Sequence, residues 1–211
     1  MELIEAAKNG SLTEVKSLME KNNQEQEHIN RALIEAAWNG HLEVVEYLAK
    51  NGADVTAQNN LALIFATVSE HLDVIQYLLK NGAAVVNGSV LIVAARRGYF
   101  QIIQFLVEKG YFVNGIVQNY PLIYAAEDGY LNIVKFLLEH GARDLDYKAL
   151  TGAIINDYKY IVKLLLEYYY PRDLIESLLT KVSNPKIINL LQGYLNQKFL
   201  ISSQDQRLLR K

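Results

Sequence analysis

The chain has 211 residues, 51% of them hydrophobic and 21% charged, with a formal net charge of −2 from 21 basic and 23 acidic side chains. Such a composition can bury a core and is not that of a disordered chain. Its near-neutrality offers no general attraction to nucleic acid or to an anionic membrane. There is no cysteine, which excludes disulfides and thiolate chemistry.

The N-terminus, MELIEAAKNG, reads as an amphipathic helix carrying Glu2 and Glu5. It lacks the basic start and long apolar run of a signal peptide. No later stretch approaches the ~20 apolar residues needed to span a bilayer. The expected compartment is therefore the cytosol.

From that first helix onward a unit recurs. Its anchor is an alanine, at Ala6, Ala36, Ala66, Ala94, Ala125 and Ala153, with spacings of 30, 30, 28, 31 and 28. Three residues before each anchor stands a leucine: Leu3, Leu33, Leu63, Leu91, Leu122 and Leu150. Positions i and i+3 share one helix face, so the small alanine admits a close neighbour while the leucine fills the space beside it. The next residue is usually isoleucine (Ile4, Ile34, Ile64, Ile92, Ile123) and is expected in the same buried layer. Gly10, Gly40, Gly98 and Gly129 close the first helix of a repeat, where a left-handed residue ends it. Glu70 and Asp157 replace that glycine and are expected to mark looser joints.

Second helices follow, each with a branched stripe: Val44-Val45, Val74-Ile75, Ile102-Ile103, Ile133-Val134 and Ile161-Val162. This is the helical period of a buried face. They end at Gly52, Gly82, Gly110 and Gly141. The repeats lie near 1–20, 31–52, 61–82, 89–110, 120–141 and 148–168. The polar run Glu20 to Asn30 between the first two is expected to be a longer, mobile loop.

The cleanest copy, Ala32 to Val55, resembles the ankyrin repeat, whose outer helix reads G-H-L-E-V-V-x-x-L-L-x-x-G-A-D-V; Gly40 to Val55 follows it closely. The resemblance implies an all-α solenoid of stacked helix-turn-helix repeats over residues 1–170. It also implies a non-enzymatic protein-protein interaction scaffold without a cofactor. A typical repeat of the family has 33 residues and opens T-P-L-H. Here only Pro121 keeps the proline, and the outer glycine lies 12 to 15 residues before the next anchor. Short turns such as Asn87-Gly88 and Asn114-Gly115 should therefore replace long β-hairpin fingers. The bias toward Asn, Ile, Lys and Tyr is similar to that of ankyrin proteins of large DNA viruses and intracellular bacteria, which would place the chain in a host cytosol.

In the family, the two residues after the Ala-Ala pair line a concave groove together with the finger tips. Carried over, the partner-binding candidates are Trp38 and Asn39, Val68 and Ser69, Arg96 and Arg97, and Glu127 and Asp128, with Asn60, Ser89 and Tyr120 on the fingers. Trp38, the single tryptophan, is equally readable as a helix-end aromatic lying over its neighbours. The expected partner is a protein, not nucleic acid or membrane, and the array itself is expected to be a monomer.

Two more helices, from about Arg172 to Val182 and from about Asn184 to Leu200, are expected before a frayed tail, 201–211. Two readings of this segment stand open. It caps the open end of the stack, as solenoids require. Alternatively, Tyr170 to Leu191 resembles the opening of an F-box, with Pro171, Asp173, Leu174, Leu178 and Leu179 matching and Tyr170 in place of the usual leucine. That would make the protein an adaptor recruiting a cullin-type ubiquitin ligase. No phosphate-binding, metalloprotease or nucleophile-elbow motif occurs, so no enzymatic activity is expected. His41 and His71 are too far apart for one zinc and read as turn residues.

Overall fold

The computed structural model describes residues 2–21, 24–111 and 119–200. It forms two compact units, Met1–Val117 and Gln118–Lys211. The N-terminal unit contains α1 (Glu2–Lys8), α2 (Leu12–Lys21), α3 (Gln26–Trp38), α4 (Leu42–Lys50), α5 (Ala57–Val68), α6 (Leu72–Lys80), α7 (Ser89–Arg97) and α8 (Phe100–Glu108). The C-terminal unit contains α9 (Asn119–Glu127), α10 (Leu131–Glu139), α11 (Lys148–Ile155), α12 (Lys159–Leu165), α13 (Arg172–Leu179) and α14 (Pro185–Leu195), closed by a π-helical turn, Asn196–Leu200. Among the described residues there is no strand.

In the N-terminal unit the odd-numbered helices pack on one another in series, α1 on α3, α3 on α5 and α5 on α7. Each pairs with its even-numbered partner, and α2, α4 and α6 form an outer row. In the C-terminal unit α9 packs on α11 and α10 on α12, and α12 then meets α14. Every anchor alanine and every leucine three residues before it is buried, at no more than 3% exposure. The outer valine and isoleucine pairs are equally buried. The isoleucine layer is only partly as expected. Ile34 and Ile123 are buried, whereas Ile4, Ile64 and Ile92 are half-exposed, because one step along a helix turns the side chain about 100° away from the leucine.

One hydrogen-bond motif ends every inner helix. The anchor carbonyl accepts the backbone N–H five residues on: Ser11 to Ala6, His41 to Ala36, His71 to Ala66, Tyr99 to Ala94, Tyr130 to Ala125 and Tyr158 to Ala153, all at 2.9–3.0 Å. This closure needs a left-handed residue between the helices. Glu70 (φ 63°) and Asp157 (φ 60°) adopt that conformation despite their Cβ.

The polar run Glu20 to Asn30 is not a long loop. Glu20 and Lys21 belong to α2, and Gln26 to Asn30 form the first turn of α3. Two of its polar side chains bond the following turn. Gln26 Nε2 donates to the Gly52 carbonyl at 2.7 Å, and Asn30 Oδ1 accepts the Asp54 N–H at 2.8 Å. The turn before α7 is a single 3₁₀ turn, Val86–Gly88. Asn114-Gly115 lies outside the described residues.

Candidate partner-binding surface

The proposed groove row sits at the C-terminal ends of the inner helices. In the N-terminal unit Trp38, Asn39, Arg96 and Arg97 are exposed, while Val68 and Ser69 are half-buried. In the C-terminal unit Asp128 is exposed, Glu127 half-buried, and Ile155, at the equivalent place in the last repeat, is 73% exposed. An isoleucine so far in water stands out from a core in which its relatives are closed off.

The backbone of the row is held from the next repeat. His41 Nε2 lies 2.9 Å from the Lys8 carbonyl, and His71 Nε2 lies 3.2 Å from the Trp38 carbonyl; each ring donates through Nε2–H. Tyr99 takes over this role, its phenol donating to the Val68 carbonyl at 3.1 Å. Rings at this position also cover turn glycines. A Cβ on Gly10, Gly40 or Gly129 would come within 2.6 Å of the ring of His41, His71 or Tyr158. The residue after the turn is thus a latch that fixes the carbonyl end of the preceding inner helix. The sequence reading of His41 and His71 as turn residues missed this pairing, and it missed that tyrosine substitutes for histidine.

A second column, beside the proposed row, also escaped the sequence reading. Trp38 lies on Phe65, with ring centroids 4.6 Å apart and planes tilted by 32°. Phe65 immediately precedes the next anchor alanine. Glu127 stands in the same relation to Gly152, where an added Cβ would meet its Cγ at 2.4 Å. The residue two after one anchor therefore covers the residue one before the next. That column reads Glu5, Glu35, Phe65, Val93, Tyr124 and Gly152. Its chemical variety beside invariant leucine and alanine was the available signal.

The finger candidates separate. Asn60 is 7% exposed, and its Oδ1 accepts the Ala84 N–H at 2.8 Å, as Asn30 does for Asp54. It follows Gln58 and Asn59 in a left-handed turn (φ 51°, 59° and 63°) and is a structural bond, not a fingertip open to a partner. Ser89 is half-buried at the first position of α7. Tyr120 is 41% exposed and stacks on Tyr124 at 6.2 Å. Asn39 also spends part of its side chain internally, since Nδ2 donates to the Glu35 carbonyl at 2.8 Å.

No group of three or more His, Cys, Asp or Glu side chains is arranged to hold a metal among the described residues. No described helix is long and apolar enough to cross a membrane.

Buried hairpin repeats carrying a variable, solvent-facing row define a repeat protein of the interaction-module class. The chain belongs to the ankyrin repeat family: the family profile described as "Ankyrin repeats (3 copies)" matches residues 3–59, 58–117 and 91–175. No curated protein sequence matches it. Among solved structures, the crystal structure of the human ASB11 ankyrin repeat domain superposes with a TM-score of 0.75 at 24% identity, covering 92% of this chain and 97% of that one. A chain from the complex of the Bd0816 predatory endopeptidase of Bdellovibrio bacteriovorus with the immunity protein Bd3460 superposes with a TM-score of 0.64 at 26% identity. That match covers 77% of this chain and 97% of that one. The first likeness is one of fold.

Proposed function

We propose that this protein is a non-enzymatic scaffold that holds a partner protein against the groove row of its inner helices. The observation that carries the reading is the contrast at the end of each inner helix. The leucine and alanine positions are uniform and closed to solvent, while the adjoining row is chemically varied and exposed or half-exposed. Trp38, 44% exposed on its Phe65 platform, and Arg96 supply the residue types most enriched among binding hot spots. The membership of the chain in a family of interaction modules supports the same reading.

Affinity capture with the full chain tests it. Wild type is compared with the Trp38→Ala, Arg96→Ala double variant, each checked for unchanged thermal unfolding. An unchanged set of captured proteins with the folded variant would sink the groove assignment. The single tryptophan gives an independent readout, because a partner covering Trp38 shifts its emission.

The segment Tyr170 to Leu191 is read as a cap. Support comes from the burial of Tyr170, Ile175, Leu178, Ile187 and Leu191, and from the packing of α14 on α12. The ligase-adaptor alternative requires this segment to bind a cullin adaptor. Of the F-box-like residues, Leu178 is buried, Pro171, Leu174 and Leu179 are half-buried, and Asp173 is exposed. Truncation after Tyr169 separates the two readings. Loss of cooperative unfolding favours the cap, whereas a truncated chain that still unfolds cooperatively but no longer captures a cullin adaptor favours the ligase reading.

A further inference from the structure

We infer that the N-terminal unit carries a second docking site on its outer helices, in the cleft between α6 and α8, for an acidic peptide segment with a bulky apolar side chain. The cleft has a volume of about 500 Å³ and is lined by Gln76, Leu79, Lys80, Phe105, Lys109 and Tyr111. That is the size range of sites that take a few side chains. Its floor is apolar: Leu79 is buried, and Phe105 and Tyr111 are half-buried, so part of each aromatic side chain remains open to an incoming group. Its rim is cationic. Lys80 is the last residue of α6 and Lys109 directly follows α8, and both are exposed.

Charge selects the occupant. Among the described residues no carboxylate lines the cleft. The ion pairs of the described residues involve His28, Lys50, Lys135, Lys148 and Arg172 but neither Lys80 nor Lys109. Glu108, the nearest acid in sequence, accepts from Gln104 on its own helix at 2.8 Å. The C-terminal dipoles of α6 and α8 place about half a negative charge at each helix end, which two full ammonium charges outweigh. An apolar floor inside a charged rim is the anatomy of a peptide-anchoring pocket, and the two amines favour Asp or Glu beside the anchor. This surface is formed by outer helices, whereas the groove row is borne by inner ones, so the two sites are separate and can be emptied separately.

The test is selection of random dodecapeptides displayed on phage against the full chain, followed by fluorescence anisotropy of synthetic copies of the enriched peptides. Three baits are compared: wild type, the Lys80→Glu, Lys109→Glu double variant and Trp38→Ala. The inference expects enriched peptides that combine an aromatic or large aliphatic residue with at least one acid. Their affinity should fall about tenfold on charge reversal, as the loss of two exposed charge pairs allows, and hold with Trp38→Ala. Both lysines are exposed, so the double variant should stay folded and unfold cooperatively, melting slightly below wild type because its glutamates face the C-terminal dipoles. The inference is overturned by an absence of enriched peptides, by enriched peptides that are basic or indifferent to the charge reversal, or by peptides lost only with Trp38→Ala. Sedimentation showing wild-type dimers that the double variant lacks would give the cleft to a second copy of this chain and overturn it too.

Discussion

The phenol of Tyr194 closes on both backbone polar groups of Tyr170. It accepts the Tyr170 N–H at 2.7 Å and donates to the Tyr170 carbonyl at 3.1 Å. Both residues are buried, and the Tyr170 phenol in turn donates to Asp144 Oδ2 at 3.2 Å. Burial pushes both phenols above their ordinary range, so each stays a neutral donor. One side chain of α14 thereby satisfies the chain segment that precedes α13. Tyr194→Phe leaves two buried backbone groups unpaired and should destabilise the protein by about 2–5 kcal/mol. Tyr170→Phe loses only the bond to Asp144 and should cost about 1–2 kcal/mol. Urea unfolding of the two variants checks the order; a milder Tyr194→Phe would mean that the clamp is not what holds this segment.

The latch from one repeat to the next predicts an unequal response of two glycines. Gly40 (φ 76°) and Gly52 (φ 100°) are both left-handed, and alanine at either should lose about 1 kcal/mol through backbone strain. An added Cβ at Gly52 meets open space, but at Gly40 it comes within 2.5 Å of the His71 ring. Gly40→Ala should therefore exceed Gly52→Ala by about 1–2 kcal/mol, the loss of the ring's contact and of its bond to Trp38. A thermodynamic cycle with His71→Ala should show that the excess disappears once the ring is gone.

Glu70 and Asp157 occupy the left-handed turn position that glycine fills elsewhere. Glu70→Gly and Asp157→Gly should each stabilise the protein by about 1 kcal/mol, read as a higher denaturant midpoint at unchanged slope. A neutral or destabilising result would show that these side chains contribute contacts that offset the strain.

Asp144 should impose a pH dependence of definite sign. Its carboxylate receives the backbone N–H groups of Ala149 and Leu150 and the Tyr170 phenol, yet burial dominates and holds its pKa above the ordinary 3.8. The folded state then binds the proton more tightly than the unfolded chain. The contribution of this group to stability is fully present below about pH 3.8 and is lost as pH rises through the raised folded-state value. Unfolding free energies of wild type minus Asp144→Asn, measured from pH 7 down to pH 3, should rise as pH falls and then level off. The subtraction removes the other carboxylates, and a difference that falls with acidification would contradict the assignment.

Much of this architecture could be read without coordinates. Leucine and alanine three apart, repeated at 28 to 31 residues, specify a buried helix face wherever they occur. The turn glycines specify where each helix stops, and Pro185 opens α14 at its first position as its fixed φ predicts. These are local properties, decided within a turn or two of helix. The proposed row could be listed for the same reason, since its residues hold a fixed offset from the anchors.

What the chain could not disclose locally were the bonds that join residues 24 to 33 positions apart. Asn60 and Asn30 look like turn residues in sequence, yet each has its side chain spent on the backbone of the following turn. Phe65 became visible as the platform of Trp38 only when α3 and α5 were set side by side. His41, His71 and Tyr99 share a latching role that no helical period encodes, because it depends on where one repeat lands on the next. Sequence alone thus determined the repeat, its core and its helix ends, through short-range packing and backbone preferences. Tertiary structure decided which polar side chains are consumed in joining repeats and which remain open to a partner, because stacking register sets those distances.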